Sequence, residues 1–222
     1  MVRFNHPVVP LVPVDEQAGL PTPIAISPDV DGDGRGDELV WVRTLLPREK
    51  AKLWCYYTPG GAAAMDYAPR ADAAMNWDKG TTANIGGESD RAAYRFYYGQ
   101  IEAFGKKSNG NSPDRLILAG LGTLKTSYHK MQEWGMDILH IGGASGLGAL
   151  SVWEDGTRLP LIQPGGKGDL KIERRVLAKG PVRSLVRVEY TGLKGKLVEY
   201  RARLDMSAYA GNPCSRQEVT IW

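Results

Sequence analysis

The 222-residue chain has only two cysteines, Cys55 and Cys214, and no long run of apolar residues. Two cysteines are too few for a disulfide scaffold or a cysteine-rich zinc site, although they allow one bridge or two free thiols. No segment approaches the roughly 18–20 apolar residues that cross a bilayer, which excludes a membrane-spanning helix. The first residues carry Arg3, Asn5 and His6 among prolines, so they lack a signal-peptide core. The sequence thus leaves open a cytoplasmic protein or one whose export signal has been removed.

The chain also has little net charge. Its 28 Lys and Arg residues against 25 Asp and Glu residues give a formal charge of +3. This is too small for bulk attraction to nucleic acid or to an anionic membrane. The length suffices for a full hydrophobic core, in one large β domain or two small ones, without help from a metal. A bound metal is therefore expected to have only a local role.

Short segments rich in β-branched and aromatic residues predict an all-β protein. These segments are 38–45, 51–57, 92–98, 182–190, 197–204 and 215–222. The segment 127–139 is the one stretch with helical character, but it contains Gly135 and runs into a glycine-rich stretch, so we expect a loop with a short turn.

The last three predicted strands form a meander with one apolar and one charged face. In the strand 182–190, alternation places Val186 on the apolar face and Arg183 and Arg187 on the charged face. A charged face is ordinarily solvated and holds cross-strand Arg–Glu pairs, but it also suits an acidic glycan. The strand-like run ends at Trp222, so we expect a second chain or a missing C-terminal portion to complete the sheet.

An acidic, glycine-rich segment directly before the first predicted strand is the sharpest local motif. Its carboxylates belong to Asp29, Asp31, Asp33 and Asp37. Hard cations prefer oxygen ligands from a short, tight loop, so the spacing predicts a structural calcium site, with no organic cofactor. An EF-hand is not expected, because Val40 stands where a bidentate Glu belongs. The alternative is an acidic turn without an ion.

A second motif combines two arginines with two carboxylates. Alternation along the strand places Arg91 and Arg95 on one face, next to Glu88 and Asp90. Two guanidinium groups that point the same way suit a sugar carboxylate or sulfate. The alternative is an ion-pair network among these four residues.

The best active-site candidate is the loop that carries Tyr128, His129, Trp134, Asp137 and His140. A histidine beside a tyrosine supplies a base and an acid near neutral pH, and a tryptophan offers an apolar platform for a sugar ring. The glycine run that follows lacks the βαβ context of a dinucleotide site and the lysine of a phosphate-binding loop. For each histidine the alternative is ordinary hydrogen-bonded packing.

These segments, in this order, resemble the bacterial family designated domain of unknown function 4861. The matching sequences are DVDGDGRGDELVW, ESDRAAYRFYYGQIEAFG, SYHKMQEWGMDILHIGGASGLGALSVWEDG and VLAKGPVRSLVRVEYTGL. The resemblance implies an antiparallel β-sandwich of the galactose-mutarotase-like type, in one domain over 1–222 that is shorter than its relatives. It also implies a secreted or periplasmic protein of polysaccharide degradation, in a family that includes ulvan oligosaccharide dehydratase-like members.

Two stretches depart from the family pattern. Gly87 and Ser89 stand where relatives have Trp and Asn, and Trp134 and Met136 flank Gly135 where relatives have a Gly-Glu-Gly-Leu-Asp run. The resemblance therefore implies a substrate preference that differs from that of the relatives.

Together, the residues and the resemblance predict a lyase or dehydratase that eliminates water or a glycosyl group from a uronic-acid-containing oligosaccharide or polysaccharide. Elimination requires neutralisation of the uronate carboxylate, a base and an acid. We expect the arginine pair to neutralise the carboxylate. We expect His129 to be the base and Tyr128 the acid, or the reverse, with Asp137 or Glu88 orienting them.

Other functions stay open on the sequence. Glu88 and Asp137 would suit a glycosidase with two carboxylates, and fold analogy alone allows an epimerase or mutarotase. A non-catalytic, calcium-stabilised glycan-binding or structural module would keep the acidic loop and the tryptophans Trp77, Trp134 and Trp153, but it would not need His129. No nucleic-acid partner is expected.

Overall fold

The computed structural model describes residues 2–3, 11–15, 24–27, 30–31, 38–57, 67–75, 84–97, 100–107, 116–118, 127–139, 147, 150–160 and 171–222. These residues form antiparallel sheets, and none of them lies in an α-helix. The prediction of an all-β protein is confirmed. Among the described residues, no helix has the length and apolar character needed to cross a membrane.

Two large sheets make up most of the fold. The five-stranded sheet has the order β10-β9-β8-β7-β6, and its strands are β6 (Ala71–Met75), β7 (Ile85–Ser89), β8 (Ala92–Tyr97), β9 (Gln100–Lys106) and β10 (Gly135–Asp137). The four-stranded sheet has the order β13-β14-β15-β16, and its strands are β13 (Lys171–Lys179), β14 (Arg183–Lys194), β15 (Glu199–Tyr209) and β16 (Ser215–Ile221).

Three smaller sheets complete the described structure. β1 (Val2–Arg3) and β3 (Ile24–Ser27) pair with the two edges of β4 (Glu38–Trp41). β2 (Leu11–Asp15) pairs with β5 (Leu53–Tyr57). β11 (Ser151–Glu154) and β12 (Thr157–Pro160) form a hairpin.

The two large sheets pack face to face around one apolar core. Ile85, Phe96 and Ile101 of the five-stranded sheet lie in the same buried cluster as Val186 and Leu204 of the four-stranded sheet. Alternate side chains of each strand point to one face, so each sheet supplies one apolar face to this core. The protein is therefore a β-sandwich.

Glycine at position 87 lets the two sheets approach closely. A Cβ atom at Gly87 would lie 2.8 Å from the Oγ of Ser184 in β14. Ser89 points the same way, and its Oγ donates a hydrogen bond of 2.7 Å to the carbonyl of Asn212. The two departures from the family pattern at 87 and 89 therefore lie in the core of the sandwich and not at the candidate site.

The outer face of the five-stranded sheet, here called the site face, carries polar side chains. Gly86, Arg95 and Glu102 form one cross-strand row. The next row is Glu88, Ala93, Phe104 and Asp137. Because cross-strand partners in an antiparallel sheet point to the same side, the core side chains point away from these rows. The site face therefore brings together residues from four strands.

The outer face of the four-stranded sheet corrects one expectation. Arg183 and Arg187 were expected on a solvated or glycan-binding face, but both are buried. Arg183 forms an ion pair with Glu38 of β4, and Arg187 binds both carboxylate oxygens of Asp205 and the carbonyl of Val30. The reason is that Val30 and β4 lie over this part of the sheet. Farther along the strands the expected cross-strand pairs do occur, as between Arg175 and Glu189.

The strand predictions succeeded best at the C-terminal end of the chain. The strand predicted over 182–190 is β14, which begins at Arg183 and continues to Lys194, while the strand predicted over 38–45 ends at Trp41. The segment 127–139 forms turns, as expected, but it also contains the short strand β10, which was not predicted. Cys214 is a free, exposed thiol and therefore does not form a disulfide bond. β16 is an edge strand, and its completion by a second chain stays a prediction.

Candidate active site

Four of the predicted site residues meet on the site face. Tyr128 and His129 are neighbours in the chain, Asp137 lies on β10, and Arg95 lies on β8. Glu102 of β9, which the sequence analysis did not single out, completes the cluster. We call these five residues the acid–base cluster.

His129 is held by a buried carboxylate. Its Nδ1 lies 2.9 Å from Oδ2 of Asp137. The side chain of His129 is 45% exposed, whereas that of Asp137 is only 1% exposed. The other oxygen of Asp137, Oδ1, accepts a hydrogen bond of 3.0 Å from the backbone N–H of Leu139. A carboxylate fixed in this way favours the tautomer with hydrogen on Nδ1, which leaves Nε2 as the basic atom.

The turn before β10 brings these residues together. The backbone N–H of Asp137 donates to the carbonyl of Tyr128 over 2.9 Å, which closes the loop onto the strand. Gly135 has a φ of +144°, and a Cβ atom there would lie 1.9 Å from the carbonyl oxygen of Gly105. Only glycine therefore allows β10 to pair with β9 at this point, and this pairing places Asp137 opposite Phe104.

Arg95 positions the phenol of Tyr128. Its guanidinium is 1% exposed, and its Nε donates a hydrogen bond of 2.8 Å to Oε2 of Glu102. Its Nη2 donates to the hydroxyl oxygen of Tyr128 over 3.2 Å. Because the hydroxyl oxygen accepts this bond, its own hydrogen is left to point elsewhere. The guanidinium also places a permanent positive charge beside the oxygen that would become negative after proton donation.

Glu102 is the site residue that the sequence analysis missed. It is 7% exposed, and burial raises the pKa of its carboxyl above the ordinary value, while the positive charge of Arg95 opposes this shift. Asp137 adds a smaller contribution that raises the pKa, and His129 one that lowers it. One signal was present in the sequence: only Tyr98 and Gly99 separate β8 from β9, and a two-residue hairpin loop places Glu102 opposite Arg95.

Aromatic rings form one wall of the cluster. The ring of Tyr128 meets the ring of Phe104 edge to face, with 5.7 Å between centroids, and lies 4.5 Å from the imidazole of His129. Trp134 lies 6.4 Å from Phe104 and is partly buried. The guanidinium carbon of Arg95 is 5.1 Å from the centroid of the Tyr128 ring. This packing fixes the Tyr128 ring in a partly apolar environment.

Glu88 lies on the same sheet face but has other partners. Its carboxylate accepts hydrogen bonds from Nζ of Lys106 at 2.6 Å and from the backbone N–H groups of Ile117 at 2.8 Å and Leu118 at 2.9 Å. Burial raises the pKa of Glu88 above its ordinary value, and the charge of Lys106 opposes the shift. These contacts anchor the segment 116–118 on the sheet.

The residues of the second predicted motif do not form one cluster but lie in different parts of the structure. Asp90 is 2% exposed and bonds Arg70 and the backbone N–H of Gly211, so its contacts join the two sheets. Arg91 is half-buried in the bend before β8. Three residues of the predicted network, Glu88, Asp90 and Arg95, each form an ion pair with a partner outside the motif.

Most of the predicted calcium loop lies outside the described residues, namely Asp29, Asp33 and Asp37, and so does His140. Asp31 is exposed, and its neighbour Val30 accepts the hydrogen bond of 3.0 Å from Nη1 of Arg187. Within the described part of the chain, no three His, Cys, Asp or Glu side chains are arranged to hold a metal ion. The calcium site stays a prediction.

The acid–base cluster has the parts needed for proton transfer. A half-exposed imidazole is oriented by a buried carboxylate, and a phenol beside it is oriented by a buried guanidinium. The imidazole and the phenol belong to sequence neighbours, so a single ligand can contact both. This arrangement can remove a proton from one atom of a ligand and deliver a proton to another.

Comparison with known proteins assigns the chain to a family. The family model described as Domain of unknown function (DUF4861) matches residues 5–222. No curated protein and no solved structure matches the chain.

Proposed function

We propose that this chain, which belongs to the family described as Domain of unknown function (DUF4861), is a lyase or dehydratase that acts on a uronic-acid-containing oligosaccharide or polysaccharide. The observation that carries the proposal is the orientation of the half-exposed His129 by the buried carboxylate of Asp137, beside the ring of Tyr128. The uronate substrate class comes from the family resemblance.

The proposed reaction is a β-elimination. Nε2 of His129 takes the proton from the carbon next to the uronate carboxylate. The electron pair of that C–H bond forms a carbon–carbon double bond, and the bond from the adjacent carbon to its oxygen substituent breaks. The hydroxyl of Tyr128 gives its proton to the departing oxygen, which leaves as water or as a sugar hydroxyl. The nearby guanidinium of Arg95 stabilises the phenolate that results.

The geometry changes the roles proposed for the arginine pair. Arg95 is buried and directed at Glu102 and Tyr128, so we assign it to positioning the acid. Contact with the substrate carboxylate is assigned to Arg91, and Trp134 is assigned to the sugar ring. Asp90 was also a candidate substrate-binding residue, but its side chain is buried against Arg70 and Gly211, so we assign it to joining the two sheets. His140 keeps its proposed place as a substrate-binding residue.

The calcium loop is proposed to have a structural role. The hydrogen bond between Val30 and Arg187 places Val30, the neighbour of Asp31, against the outer face of the four-stranded sheet. The acid–base cluster lies on the site face, on the other side of the sandwich. A cation bound by Asp29, Asp31, Asp33 and Asp37 would therefore stabilise the packing of the N-terminal segment. A secreted or periplasmic location, as the family resemblance implies, belongs to the same proposal.

The proposal is tested by incubating the protein with uronate-terminated oligosaccharides and following the ultraviolet absorbance of the conjugated unsaturated uronate. Wild-type protein should produce the absorbance, and H129A should abolish it while keeping its circular dichroism spectrum. A chelator should lower the melting temperature and affect turnover only through unfolding. No absorbance change with any uronate oligosaccharide, from a folded protein, would contradict the proposed reaction.

A non-catalytic glycan-binding module is the second candidate. It is supported by Trp153, which is 72% exposed on the β11–β12 hairpin, since exposed tryptophans are typical of sugar-binding surfaces. This candidate predicts saturable binding of the same oligosaccharides without turnover, and binding that H129A leaves unchanged and W153A weakens.

A further inference from the structure

A groove of about 340 Å³ lies on the outer face of the four-stranded sheet, lined by Val40, Trp41, Tyr209 and Arg216. Val40 and Trp41 belong to β4, and Tyr209 is the last residue of β15. Cross-strand pairing of Arg183 with Tyr209, and of Ser207 with Arg216, places these side chains on the outer face. The groove therefore lies where the N-terminal sheet meets the outer face of the sandwich.

The groove has a rigid floor. Val40 packs with Val182, Ala210 and the partly buried Tyr209 in a small apolar cluster. The ion pair of Arg183 with Glu38 joins β4 to the four-stranded sheet directly below. A site on paired strands with a buried ion pair beneath it is preformed, so binding there would cost little ordering of the chain.

The lining matches the chemistry of a sugar ring. Trp41 and Tyr209 provide partly exposed aromatic rings, which pack against the C–H face of a pyranose. Arg216 is 52% exposed and forms an ion pair with Glu218, which is 53% exposed. The guanidinium of Arg216 offers donors to ring hydroxyls and can also bind a uronate carboxylate. The groove volume lies within the roughly 300–1,000 Å³ range of small-molecule sites.

This groove is separate from the acid–base cluster. The cluster lies on the outer face of the five-stranded sheet, and the groove on the outer face of the four-stranded sheet. At least about 10 Å of packed core separates two such faces. A ligand in the groove therefore cannot touch His129.

We infer that this groove is a second carbohydrate-binding site, which holds a pyranose unit of a polysaccharide and does not take part in bond cleavage. Trp41 and Tyr209 provide the ring contacts, and Arg216 provides the polar contacts. The inference does not depend on the reaction proposed at His129, because none of its residues belongs to that cluster.

The test follows the indole N–H signal of Trp41 by nuclear magnetic resonance in protein labelled with ¹⁵N-tryptophan. The variant W41F identifies this signal. The protein is titrated with an α-1,4-linked tetragalacturonate and, separately, with the neutral tetragalactose. The inference expects a saturable shift of the Trp41 signal with at least one of the two sugars. A shift with both sugars indicates recognition of the ring, and a shift with tetragalacturonate alone indicates recognition of the carboxylate by Arg216.

Two variants complete the test. R216Q should raise the dissociation constant about tenfold or more, because it removes a charged donor from an exposed position with little risk to the fold. H129A should leave the Trp41 titration unchanged. A Trp41 signal that does not move at millimolar concentrations of either sugar, in a folded protein, would overturn the inference. Loss of the titration in H129A would overturn the claim that the two sites are separate.

Discussion

The buried carboxylate of Asp137 makes the strongest prediction about the acid–base cluster. In the variant D137N, Oδ1 still accepts the hydrogen bond from the backbone N–H of Leu139, because that donor cannot change. The new NH₂ group then takes the place of Oδ2, 2.9 Å from Nδ1 of His129. An NH₂ group can only donate, so Nδ1 must become the acceptor and the hydrogen must move to Nε2. The variant therefore removes the base without changing the shape of the site.

The size of the effect follows from what is lost. A positioned general base contributes about 10²–10⁴ in rate, which equals ~3–5 kcal/mol of transition-state stabilisation. We expect D137N to lower kcat by this factor. KM should change little, because the carboxylate is 1% exposed and cannot touch a substrate. The variant D155N is the matched control, because Asp155 is 72% exposed and pairs only with a surface lysine among the contacts described.

Two measurements test the tautomer of His129 and its role as the base separately. ¹⁵N resonance of the imidazole reports the tautomer of His129, and the ultraviolet assay reports turnover of a uronate oligosaccharide. An Nδ1-protonated imidazole in D137N would refute the hydrogen-bond argument. A shifted tautomer with kcat within twofold of the wild type would show that His129 is not the base.

Three further predictions concern stability. Because burial raises the pKa of Glu102 above its ordinary value of 4.5, the folded state holds this proton more tightly than the unfolded state does. The contribution of Glu102 to the free energy of unfolding is thus largest below pH 4.5 and falls as pH rises through the folded pKa. Urea titrations across pH should show this slope in wild type and not in E102Q. K106M leaves the carboxylate of Glu88 buried without its cation and should cost about 3–5 kcal/mol in the same assay, and a loss below 1 kcal/mol would contradict the buried pair. G87A introduces a Cβ atom 2.8 Å from Oγ of Ser184 and should cost about 1–3 kcal/mol, with recovery in G87A/S184G. Equal melting temperatures for G87A and wild type would refute the close approach of the sheets.

Several strands could be predicted because their own residues favour them. β14 contains Val, Thr and Tyr residues that favour strands, and the alternation along β14 and β15 fixed which side chains point to the core. β6 (ADAAM) and β7 (IGGES) carry almost none of these residues. They are strands because they pair with each other and pack on β14, and such non-local contacts leave no mark on local composition.

The candidate site divides in the same way. Tyr128, His129 and Asp137 lie within ten residues of each other, so their chemistry was visible as a local motif. Strand alternation identified Arg95 as a site residue, but it did not predict that Arg95 positions Tyr128. Its partner Glu102 follows from the hairpin register, and its contact with Tyr128 depends on how the loop before β10 folds over the sheet.

What the sequence determined by itself was the all-β class, the alternation of strand faces and the local set of proton-transferring residues. These depend on backbone preference and on a period of two, which are properties of neighbouring residues. Only the tertiary structure decided what covers each face. In the tertiary structure, Arg183 is buried under β4, and Glu88 pairs with Lys106 instead of joining the acid–base cluster. The physical reason is that burial and ion pairing depend on segments far apart in the chain, such as Glu38 against Arg183, and no local pattern encodes that meeting.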